Sequence, residues 1–112
     1  MRRIEFEHLV DRVIEDLPSW VIDRIENLVV VVEDEPPPES PNLLGLFEGI
    51  SLAEREDYSG VLPDRIIIYR LPHLEMGLDR PGLEAEVRKT VLHEIAHHLG
   101  IDDDRLAELG WD

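Results

Sequence analysis

No cysteine occurs in the chain, which excludes disulfides and any thiolate metal site and fits a reducing compartment. Long apolar runs are also missing. No stretch approaches the roughly 18 residues that a membrane-spanning helix needs. Near the start, Glu5, Glu7 and Asp11 interrupt the apolar positions, so no secretory leader is expected. A soluble cytoplasmic protein without membrane partners follows as the expectation. Lysine is nearly absent: Lys89 stands against ten arginines, and with 26 acidic residues the formal net charge is -15. Such a field repels phosphate backbones, because nucleic-acid affinity comes largely from Lys and Arg neutralising phosphates, so no nucleic-acid partner is expected. The acidity serves solubility, and a preference for cationic substrates is the sharper alternative.

What is present fits one domain over residues 1–112, a length that can bury roughly two thirds of its unfolded surface. Phe6, Leu9, Val10, Val13, Ile14 and Leu17 recur at helical spacing up to Pro18. Ser19 is placed to cap a second helix to about Glu26, with Trp20, Val21 and Ile25 inward. Leu28 to Val32 reads as a buried strand. EDEPPPESPN, Glu33 to Asn42, is a proline-rich surface loop. Leu43 to Phe47 is short and apolar, with Gly45 and Gly49 marking turns, Ser51 with Glu54 could form a capping box, and Tyr58 to Pro63 is a turn region. Arg65 to Leu71 is the second strand, which Pro72 ends or confines to an edge. Pro81 opens the main helix, Gly100 stops it, and a last helical stretch covers Asp103 to Leu109.

The chemistry concentrates in HEIAHHLGIDD, His93 to Asp103. His93 and His97, four residues apart on a helix, project from one face and can reach one ion. Glu94, one step around the helix, is turned away from easy ligation but can take a proton from a water on the metal. A catalytic zinc site needs a third protein ligand and an open position. Gly100 turns the chain back, and Asp103 then stands six residues beyond His97, with Asp102 and Asp104 as alternatives. Val91, Ile95, Leu99 and Leu92 lie on the opposite face and form a core stripe. Glu86 and Thr90 share the ligand face and are expected to be solvated. His98 is expected as a hydrogen-bonded packing residue. His8 and His73 are expected at the surface, His73 being the better functional outsider because it precedes the helix.

With these residues in place, the chain resembles the short bacterial zincin-like metallopeptidases, the minimal metalloproteases. The resemblance spans nearly the whole chain. It is carried by the apolar strand followed by EDEP (Val29 to Pro36), LLGLFEGISLAERED (Leu43 to Asp57) and GVLPDRIIIYR (Gly60 to Arg70). Its most specific part is TVLHEIAHHLGIDDDRLAELGW (Thr90 to Trp111). It implies a compact α+β zincin core with a small sheet, Zn2+ on His93, His97 and Asp103, and Glu94 as general base. No methionine follows the motif, so the Met-turn of full metzincins and a deep lower cleft wall are not expected.

The expected activity is therefore hydrolysis of a peptide or protein substrate, with the Arg65 to Leu71 strand as the peptide-binding edge. A metal-organised module that binds peptides without cutting them is the alternative. A metal-dependent ribonuclease is disfavoured by the charge.

Overall fold

Phe6, Leu9, Val10 and Val13 are buried along one face of α1 (Arg3–Glu15), as their spacing requires. This is a computed structural model, and it describes residues 1–49 and 63–111. The Ser51–Glu54 capping box and all of the Tyr58 to Pro63 turn except Pro63 lie outside those residues. The remaining elements are α2 (Ser19–Arg24), β1 (Leu28–Glu33), β2 (Gly45–Glu48), β3 (Asp64–Tyr69), α3 (Arg70–Leu74), α4 (Arg80–Leu99) and α5 (Asp103–Leu109). The architecture is thus α+β. None of the described helices is long and apolar enough to cross a membrane.

The sheet order is β1-β3-β2. β3 pairs in parallel with β1, Leu28 opposite Asp64, and antiparallel with β2, Gly45 opposite Ile68. Its central place explains its unbroken apolar run: Ile66 and Ile68 are fully buried and Ile67 nearly so. Of the two outcomes expected from Pro72, a stop or an edge position, the stop holds, and the strand is central. The proline falls outside it, because the chain enters α3 at Arg70. Pro72 sits in the first turn of α3, where its missing N–H costs no helical bond. β1, expected to be buried, lies at one end of the sheet order and exposes Val29, while Val32 is buried. The Arg3 guanidinium donates to the Val32 carbonyl, and Arg70 Nε donates to Asp34 at 2.8 Å. That guanidinium holds the Asp34 carboxyl below the usual range.

Helix ends follow backbone chemistry. The Asp79 side chain accepts from Gly82 N–H at the start of α4. Gly100 and Gly110, in left-handed conformation with φ of 78° and 74°, close α4 and α5. Ser19 does not cap α2. Pro18 occupies that place without a side-chain bond, and Ser19 is the first helical residue.

Leu83, Val87, Val91 and Ile95 form the stripe of α4 that meets α1 and β3 in a single core. A polar tie joins α4 to β3 within this core. His98, fully buried, donates from Nδ1 to Asp64 Oδ2 at 2.7 Å, and its Nε2 accepts from Glu26 N–H at 3.3 Å. His98 is thus the packing histidine the sequence indicates. It locks the last turn of α4 to the start of β3.

Candidate metal centre

α4 presents His93, Glu94 and His97 toward one point. One possible ligand atom from each lies within 4.8 Å of the others. The imidazole centroids of His93 and His97 are 4.9 Å apart, with the rings inclined at 70°. His93 Nδ1 lies 3.1 Å from the Trp111 carbonyl, which can only accept, so that nitrogen carries the proton. His97 Nδ1 lies 3.1 Å from Glu94 Oε1 and donates to it likewise. Each ring then keeps Nε2 as a lone-pair donor. Two such imidazoles beside a carboxylate are a donor set suited to a zinc-class ion.

Glu94 is 6% exposed, and that burial pushes its carboxyl above the ordinary value, with the neighbouring His97 and His93 pulling the other way. Gly45 of β2 lies against Glu94. A Cβ on Gly45 would stand 2.8 Å from Thr90 Cγ2, 3.1 Å from Glu94 Cγ and 3.3 Å from Glu94 Oε2. The absence of a side chain there lets the strand lie directly on the helix. A cleft of about 380 Å³ opens beside this contact, walled by Leu43, Leu44, Gly45 and Trp111 and floored by Thr90, His93 and Glu94. Glu86 and Lys89 stand on its helical side.

Asp103 opens α5, exposed, and the converging group does not include it. Asp102 is engaged as the N-cap of α5, accepting from Arg105 N–H at 2.9 Å. Asp104 is exposed in the same first turn.

Two expectations are corrected. His73 is not at the surface. It is fully buried, with Nδ1 2.7 Å from the Tyr69 carbonyl and Nε2 2.9 Å from Thr90 Oγ1. Thr90 is not solvated, because it is buried between that histidine and Gly45. Burial lowers the His73 pKa, which favours the neutral ring with Nδ1–H donating to the Tyr69 carbonyl. Its Nε2 meets the Thr90 hydroxyl, which also donates to the Glu86 carbonyl at 3.0 Å, so one proton serves both contacts. His73 therefore braces α4 from below and has no free nitrogen to offer a ligand.

Three contributors escaped the sequence reading: Gly45, expected to mark a turn but the first residue of β2, the His73–Thr90 brace and Trp111. Only Trp111 left a local signal. It directly follows the left-handed Gly110, a position that commonly carries an apolar contact back to the helix.

Comparison with known proteins adds three findings. A family described as zincin-like metallopeptidase matches residues 25–111. A search of curated proteins gives no match. A solved structure of a conserved hypothetical protein from Thermus thermophilus aligns with a TM-score of 0.63 at 28% identity, covering 99% of this chain and 100% of that one.

Proposed function

The chain belongs to the zincin-like metallopeptidase family, and from that premise we propose that it is a zinc-dependent peptidase. The observation that carries the reading is the convergence of His93, Glu94 and His97 beside an open cleft. His93, His97 and Asp103 would hold the ion, with Asp103 favoured over Asp102 because the Asp102 carboxylate already caps α5. Bound zinc supplies Lewis-acid activation of a water and of the substrate carbonyl.

The chain's own residues do the rest. Glu94 takes the proton of the attacking water on a carboxylate oxygen and delivers it to the departing amine nitrogen. Its partial desolvation raises its basicity toward the neutral range where such a shuttle works best. The peptide would lie along β2, which borders the cleft, and not along β3, whose two edges are both paired.

The decisive experiment compares wild type with Glu94→Gln for zinc content and for cleavage of an unbiased peptide library. One zinc per chain in both, with cleavage only by wild type, is the expected result. Equal cleavage by both would refute the role of Glu94. A second reading, a metal-organised peptide-binding module, is favoured by the place of Asp103 outside the converging group. It predicts zinc in both proteins and cleavage by neither.

A further inference from the structure

The carbonyl that orients His93 belongs to a residue held from a distant part of the chain. Trp111 is 8% exposed, and its indole stacks on Trp20 of α2 with centroids 5.6 Å apart and planes inclined at 11°. The Arg24 guanidinium lies 5.3 Å from the Trp20 ring centroid. The Trp111 backbone is fixed in turn by Gly110, whose left-handed turn lets Trp111 N–H reach the Leu106 carbonyl at 3.0 Å. The stack and the turn together aim the Trp111 carbonyl at His93 Nδ1.

We propose that Trp20 is a positioning residue for the metal centre, acting through Trp111 and the carbonyl that holds His93. The inference rests on the metal-binding half of the reading above, and not on peptide cleavage. An imidazole ligand whose second nitrogen is held by an acceptor keeps one tautomer and one ring orientation, and presents a more basic lone pair to the ion. Without the stack, the Trp111 carbonyl keeps only the restraint of the Gly110 turn and is held less tightly against His93. The ring must then be ordered when the metal binds, and affinity falls.

Because coupling is reciprocal, metal binding must also tighten the stack by the same factor. Trp111 additionally walls the cleft, so a ligand that presses on the indole acts on the same element that orients His93.

The test uses the full chain stripped of metal. Zinc affinity is measured by competition with a chromophoric chelator for wild type, Trp20→Ala and Trp20→Phe, beside thermal melts of the metal-free proteins. Loss of a partner that orients a ligand typically costs 10–100-fold in metal affinity, and the low end, about tenfold, is expected for Trp20→Ala because the carbonyl itself remains. Trp20→Phe retains a stacking face and should bind within about threefold of wild type.

Wild-type affinity in Trp20→Ala would overturn the proposal, and so would Trp20→Phe as weak as Trp20→Ala with both folded. If Trp20→Ala does not fold, hydrogen exchange in wild type decides: zinc should slow exchange at the Trp111 amide, and unchanged exchange would overturn the proposal. Absence of zinc binding by wild type would instead refute the metal centre, and this inference with it.

Discussion

Gly45→Ala is the perturbation that couples fold to site most directly. The new methyl would meet Thr90 Cγ2 at 2.8 Å and Glu94 Cγ at 3.1 Å. The first distance is closer than real Cβ contacts tolerate, and Thr90 cannot swing away freely because its hydroxyl is held by His73. Either β2 lifts from α4 or the helix face rearranges. Overpacking of this kind costs roughly 1–3 kcal/mol, whereas replacing a strained or flexible glycine recovers about 0.4–1 kcal/mol through the unfolded chain. A net loss of about 1–2 kcal/mol is expected, read in urea or thermal melts of the metal-free protein.

The structure also specifies the remedy. Thr90→Ser deletes the clashing Cγ2 and keeps the hydroxyl, at a cost of about 1 kcal/mol for the lost methyl. In the double variant the two losses should not add, and the cycle should return a favourable coupling of about 1 kcal/mol. On the proposed peptidase reading, cleavage should fall in Gly45→Ala and recover in part in the double variant, because Glu94 is the second neighbour displaced. Unchanged stability of Gly45→Ala, or strictly additive losses, would refute the claim that close approach of β2 shapes the site.

Three further outcomes follow from named contacts. His98→Ala leaves the Asp64 carboxylate buried without this partner, and should cost about 3 kcal/mol in denaturant melts; a loss under about 1 kcal/mol would show that the pair does not anchor α4. Asp103→Ala should weaken zinc binding more than a hundredfold, as expected for a ligand exceeding a mere supporting contact, whereas Asp102→Ala should lose about 1 kcal/mol of helix capping and keep the metal; equal zinc affinity of Asp103→Ala and wild type would exclude Asp103 as a ligand. His73 has a pKa held below the ordinary 6.5 by burial, so the unfolded chain binds the proton first. Its contribution to stability is therefore complete above about pH 6.5 and declines as the pH falls below it. Metal-free stability measured from pH 8 to 5 should show this slope in wild type and a flatter one in His73→Gln; identical slopes would refute it.

The parts legible in the sequence are those whose information is local. The 3.6-residue repeat of α1 and the stripe of α4 mark their helices, the β-branched runs mark β1 and β3, and the stop at Gly100 needs only neighbouring residues. His93, Glu94 and His97 share one turn of one helix, so their spacing suffices to bring them together. β2 is four residues long with a glycine at its start and shows no alternation to read. The burial of His73 and the tie between Asp64 and His98 depend on segments remote in sequence meeting in the core, which periodicity does not encode. The same holds for Trp111, whose contribution to the site is a backbone carbonyl, an atom every residue possesses.

The placement of β3 between β1 and β2 has a consequence during synthesis. Both of its partners are made before it, so LVVVV, Leu28 to Val32, leaves the ribosome well ahead of Ile66 to Ile68. A β-branched, uncharged run without a partner is the kind of segment that templates aggregation. The acidic stretch Glu33, Asp34 and Glu35 and the prolines behind it follow immediately. The acidic residues add like charge at the end of that run, and the prolines beyond them offer no N–H to a ladder. Arg3, made earlier still, donates to the carbonyl of Val32 once the chain folds. The charges that flank β1 are thus of the kind that keep an unpaired β-branched run from templating association.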